Sequence, residues 1–211
     1  MAAAKKRLPV KVKHAPARSR NRLSRADWVQ SALEALAEGG LGAVSVEALA
    51  QRLGVTKGSF YWHFRDSEEL LTALVQRWEE LAVDRVMGEL MQLTNPCDVI
   101  RRVIQQTVSI DSPERRLRYR VEAAAAALAE WHPVVRPAYI RITQRRLNGL
   151  IVLFLATGLS APEAAKLGRI AYMTLIGVYP VLLTRGELGE AEKQQLIDEL
   201  CERLLPPTCQ R

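Results

Sequence analysis

Between residues 24 and 205 apolar side chains recur at helical spacing, broken by caps, glycines and prolines, and no stretch alternates with period two for long enough to argue a sheet. That pattern commits the chain to an all-α fold. Ser24, with Asp27 three residues on, caps a first helix whose apolar stripe is Trp28, Val29, Ala32, Leu33 and Leu36; Gly39 and Gly40 end it. Ser45 caps a second helix, Thr56 a short third, and Asp66 with Glu69 opens a long fourth that reaches about residue 90. Asn95 and Pro96 start a fifth, with proline where its missing N–H costs nothing. Further helices are predicted over 113–130, 134–156, 162–184 and 190–205, with a capping box at Ser160 and Glu163 and a kink at Pro180. About nine helices result, without an internal repeat.

The chain of 211 residues is long enough to bury a core, and 48% hydrophobic with 25% charged residues excludes wholesale disorder. Its net charge of +7 is unevenly spread. Residues 1–25 hold nine Lys or Arg and no acid, so the remainder is slightly acidic. Residues 1–22 read as a flexible basic arm suited to a polyanion, either nucleic acid or an anionic membrane; the competing reading is a solubilising tail. The uncharged runs 147–162 and 170–184 fall short of a membrane span, and no apolar segment follows the basic start as in a secretory signal. Cys97, Cys201 and Cys209 are an odd count without metal-ligand spacing, which fits a reducing cytosol. His14, His63 and His132 are too scattered for a zinc cluster, and neither metal nor cofactor is expected.

The informative stretch is 45–64, SVEALAQRLGVTKGSFYWHF, which reads as helix, three-residue turn, helix. Small Ala50 permits close approach and Gly54 supplies a positive φ for the turn. Leu49, Leu53, Val55, Phe60 and Phe64 point inward, leaving Lys57, Gly58, Ser59, Tyr61, Trp62 and His63 largely outward. An outward Tyr-Trp-His is costly surface unless something covers it. A DNA major groove would, since its edges offer acceptors for Lys57 and a thymine methyl for Trp62. The competing reading places Tyr61 and Trp62 over a neighbouring helix.

Residues 24–71 resemble the N-terminal DNA-binding domain of TetR-family transcriptional regulators, through LAQRLGV, then FYWHF, then DSEELL at the start of a capped helix. The resemblance implies a three-helix helix-turn-helix domain over 23–70 and a helical effector-binding and dimerisation domain over 71–211. It implies base contacts from Lys57, Gly58, Ser59 and Trp62, and phosphate contacts from Tyr61, His63 and Ser45. Two positions depart from the family. Glu47 stands where a base-reading arginine is found, and its carboxylate repels phosphate. Ser67 stands where many members have a lysine; Arg65 and the basic arm are candidates to compensate.

For the body the resemblance implies a homodimer through the last two helices. Two stripes fit: Leu167, Ile170, Ala171, Leu175 and Val178, then Leu196, Leu200, Leu204 and Leu205, with Arg169, Arg185, Glu199 and Glu202 available for rim pairs. The competing reading closes a monomer core. Candidates for an effector pocket are Trp78, Tyr119, Glu122, Trp131, His132, Tyr139 and Tyr172. Arg115, Arg116, Arg118 and Arg120 could attract an anionic effector; the favoured reading is a solvated face with intrahelical pairs such as Arg118 with Glu122.

No GxSxG, HExxH or Walker pattern is present, and Gly39, Gly40 and Gly42 follow a helix rather than a strand, so no enzyme is expected. The expected protein is a cytoplasmic, nucleoid-associated repressor, released from a palindromic double-stranded DNA operator by a small-molecule effector. Two alternatives stay open at this point. One is a TetR-like architectural or division-related DNA-binding protein without an inducer; the other is an arm-driven binder of anionic lipid.

Overall fold

The computed structural model describes residues 23–90, 94–110, 112–186 and 188–209; the basic arm lies outside them. Among the described residues are nine α-helices and no strand. In chain order they are α1 (Arg25–Gly39), α2 (Val46–Arg52), α3 (Lys57–Phe60), α4 (Ser67–Leu90), α5 (Pro96–Val108), α6 (Pro113–Ala129), α7 (Val135–Ala156), α8 (Ala161–Arg185) and α9 (Glu190–Leu204).

The helix starts follow the capping chemistry of the sequence. At α1 the Ser24 amide donates to Asp27 Oδ2 at 2.7 Å and the Asp27 amide donates back to Ser24 Oγ at 3.3 Å. Asn95 accepts from the Cys97 amide at 2.9 Å, and the Ser160 amide donates to Glu163 at 3.2 Å. Thr56 precedes α3 without a side-chain cap bond, so that helix is held by packing instead. Pro180 lies inside α8, which continues to Arg185, and the Thr184 hydroxyl donates to the Pro180 carbonyl.

Two apolar clusters organise the molecule. The first joins α1–α4 to one end of α6 and α7, with Trp28, Leu33, Leu49, Phe60 and Leu74 at its centre. The second joins α5, α7, α8 and α9 through Ile104, Phe154, Ala164, Leu175 and Leu204. Gly168 of α8 sits against the Ile151 backbone of α7, where a Cβ would lie 3.3 Å from the Ile151 Cα. That close approach lets α7 and α8 run side by side.

Two expectations are corrected. Cys97 at the start of α5 and Cys209 past α9 form a disulfide, a pairing that a separation of 112 residues gives no local spacing to suggest. Cys201 is the free cysteine, and burial pushes its thiol up. Glu122 pairs with Arg146 of α7 rather than with Arg118, because its side chain faces the interior of the bundle. Helix α8 as a whole is long and apolar enough to cross a membrane by length and composition, although its uncharged run alone is shorter than a span. Its Ala164, Ala171, Tyr172, Leu175 and Leu182 are buried against the rest of the chain.

Candidate nucleic-acid interface and internal cavity

Gly54, at φ +67°, turns the chain from α2 into α3, and the Val55 amide closes the turn onto the Ala50 carbonyl at 2.9 Å. Phe60 is fully buried. It meets Trp28 edge-on at 5.4 Å between ring centroids and stacks on Phe64 at 5.2 Å. Anchoring α3 by its last residue turns the next two side chains outward. Tyr61 is 63% exposed and Trp62 86%, so neither covers a neighbouring helix. Lys57 and Gly58 are exposed beside them, with Ser59 and His63 half-buried.

The remaining candidates flank this surface. Ser45 is half-buried and its hydroxyl accepts from the Ala48 amide at 3.2 Å, so it caps α2. Arg65 and Ser67 are exposed at the entry to α4. Glu69 gathers this corner: it accepts from the Arg65 amide at 2.9 Å and from Arg65 Nε at 3.2 Å, and it pairs with Arg25 at 3.5 Å. The Arg65 amide and guanidinium hold the Glu69 carboxyl below its ordinary value. Arg25 also lies over the Phe64 ring, 4.6 Å from its centroid. Glu47, read from the sequence as a source of repulsion, accepts from the Lys57 ammonium. That contact lowers the Glu47 carboxyl and keeps it ionised.

A cavity of about 140 Å3 lies in the body, between the α5, α6, α7 and α8 helices and the α4 residue Ala82. Tyr119, Glu122 and Tyr172 line it. The other four expected pocket residues lie elsewhere. Trp78 and Tyr139 stack on each other at 6.1 Å in the first apolar cluster. Trp131 is exposed, and His132 accepts the Val134 amide at 3.3 Å in the turn between α6 and α7.

Among the lining residues that the sequence did not single out, Arg146 and Tyr179 carry polar groups into the cavity wall. Arg146 Nη1 and Nη2 donate to Glu122 Oε1 and Oε2 at 2.8 and 3.0 Å, and Nη2 reaches the Ala82 carbonyl at 3.4 Å. Burial penalises the Arg146 charge, but the attraction and hydrogen bonds of Glu122 outweigh it and hold the guanidinium above its ordinary value. Tyr179 stacks on Tyr119 at 4.3 Å, and burial raises its phenol. The signal existed. Ile142, Arg146, Leu150 and Phe154 recur every four residues, as do Tyr172, Leu175, Tyr179 and Leu182 at three and four, which puts both residues on inward stripes.

Helix α4 spans the distance between the two sites. Its Leu70 and Leu74 belong to the cluster behind α3, and Ala82 borders the cavity. Midway, Glu79 accepts from Arg141 of α7 at 2.8 and 3.1 Å, which lowers the Glu79 carboxyl.

Residues 29–74 match the family described as bacterial regulatory proteins, tetR family. A class C tetracycline repressor protein of Escherichia coli is 39% identical over 56 residues, 26% of each chain. The chain thus spans about a quarter of the length of that relative. A transcriptional regulator from Rhodococcus sp. Rha1 shares the fold with a TM-score of 0.70 at 20% identity, over 87% of this chain and 96% of the other. A regulator from Saccharomonospora viridis, solved in complex with choline, gives 0.69 at 17% identity, over 84% and 93%. Residues 29–74 are thus similar to the tetR family of bacterial regulatory proteins, and the whole described chain shares the fold of these solved regulators.

Proposed function

We propose that the chain is a DNA-binding transcriptional regulator that acts as a homodimer on a palindromic operator and is released, as a repressor, by a small molecule. The observation that carries the DNA reading is the Tyr61–Trp62 pair, held outward by the buried Phe60 beside the exposed Lys57. Trp62 offers an apolar surface for a thymine methyl, Lys57 a donor for base edges, and Tyr61 and His63 donors for phosphate. Gly58 and Ser59 leave room for close approach. Ser45, Arg65 and Ser67 flank the groove on the phosphate side. Lys and Arg of the arm add counterion release.

Dimerisation is supported by what α8 leaves uncovered. Ile170, Met173 and Val181 are all about half exposed or more, and a shallow groove between α8 and α9 is lined by Val178, Leu196 and Glu199. A second copy covering that face supplies the two half-sites that a helix-turn-helix reads about one DNA turn apart. The switch is a two-state linkage, in which the ligand prefers the arrangement that misfits the operator. Helix α4, with one end behind α3 and the other at the cavity, is the coupling element. The DNA it would meet is that of a cytoplasmic nucleoid.

The test is selection from a random DNA library with full-length protein at near-physiological salt. Enrichment of an inverted repeat is the expected result. Binding without enrichment overturns the base-reading roles of Lys57 and Trp62.

A further inference from the structure

The cavity's lining is apolar with an excess of positive charge. Val103, Leu150, Leu153, Leu175 and Ile176 supply apolar wall, and Tyr119, Tyr172 and Tyr179 supply aromatic faces and edges. Three guanidiniums, those of Arg118, Arg145 and Arg146, meet a single carboxylate, Glu122, among the described lining residues. Both Glu122 oxygens are already taken by Arg146. Arg145 stands 3.8 Å from Glu79, whose shorter bonds go to Arg141. The wall therefore presents net positive charge to an occupant, concentrated at Arg118.

Size narrows the class further. A cavity of about 150 Å3 lined by aliphatic side chains holds one benzene, and this one measures about 140 Å3. From that geometry we infer that the cavity binds a small organic monocarboxylate, with an apolar body of about one aromatic ring against Leu150, Leu175 and Tyr172 and its carboxylate on Arg118. As the effector class of the regulator proposed above, this rests on that reading. A quaternary ammonium such as choline does not suit this wall, because the carboxylate that would receive it is occupied and the surrounding charge repels it.

The experiment is calorimetric titration of full-length protein with benzoate, hexanoate, benzyl alcohol as the neutral ring, and choline. Benzoate or hexanoate is expected to bind once per subunit, at least tenfold tighter than benzyl alcohol, with no heat from choline. Arg118→Gln is expected to weaken the carboxylate at least tenfold and leave benzyl alcohol unchanged. Val103→Phe, which fills the cavity, is expected to abolish both, with a thermal melt confirming that each variant folds. Saturable choline binding, equal affinity for benzyl alcohol, or silence from both carboxylates overturns the inference. Operator selection on the same preparation keeps the two failures apart. A protein that enriches no DNA yet binds benzoate loses the regulatory reading alone, and one that enriches an operator but ignores both carboxylates loses the ligand class alone.

Discussion

The Lys57 ammonium donates to the Glu47 carboxylate, tying the first residue of α3 to the first turn of α2 across the intervening turn. Both side chains are more than half exposed, so the pair contributes little to stability. Its consequence lies in recognition. The cation best placed to reach a base starts out neutralised, and a carboxylate stands where phosphate would approach.

Glu47→Gln is therefore expected to tighten binding to operator and unrelated DNA together, by about tenfold, or ~1.4 kcal/mol. Fluorescence anisotropy at fixed salt reads this directly. Weaker binding confined to one operator position would instead mean that Glu47 accepts from a cytosine amine.

Tyr61 and Lys57 separate by their sequence dependence. Tyr61→Phe is expected to weaken all DNA sequences alike, because it removes a phosphate donor, whereas Lys57→Ala relaxes preference at particular base pairs. Binding measured against a panel of single-base operator variants distinguishes them. A uniform loss for Lys57→Ala would put that side chain on phosphate.

Gly168→Ala tests the contact between α7 and α8. The new Cβ would stand 2.7 Å from Ile151 Cγ1 and 3.3 Å from the Ile151 backbone. Overpacking of this kind costs about 1–3 kcal/mol, against a helix-propensity gain of about 1 kcal/mol. Urea melts are expected to show a net loss of stability; a gain would show that the helices separate freely.

The Cys97–Cys209 disulfide closes a long loop, its cysteines 112 positions apart in sequence. Reduction is expected to lower stability by about 2–4 kcal/mol. Denaturant midpoints with and without dithiothreitol measure it, and Cys97→Ser should show the reduced value under both conditions. An unchanged midpoint for the wild type would mean that the bond constrains an already compact unfolded chain.

Acid should loosen the tie between α4 and α7. Arg141 holds the Glu79 carboxyl below the ordinary glutamate value of 4.5, so its contribution is complete above that pH and fades as pH falls through the lower folded value. Wild type and Glu79→Gln should thus differ in melting temperature at pH 7 and converge on acidification. A constant difference across that range would assign the effect to packing.

The sequence by itself determined the helices and the turn that presents Tyr61 and Trp62, because caps, glycine stops and apolar periodicity act within a few residues of one another. Ser24 with Asp27, Asn95 with Pro96 and Gly54 are legible for that reason. The cavity was legible in part: Tyr119, Glu122 and Tyr172 fall on it, whereas Trp78 and Tyr139 found each other in the neighbouring core. Which partner Glu122 takes, that Glu47 holds Lys57, and that Cys97 meets Cys209 were decided by the tertiary structure. Each joins residues from separate elements of the fold. Helical spacing says which face a side chain occupies, and only the packing of one helix on another says what that face meets.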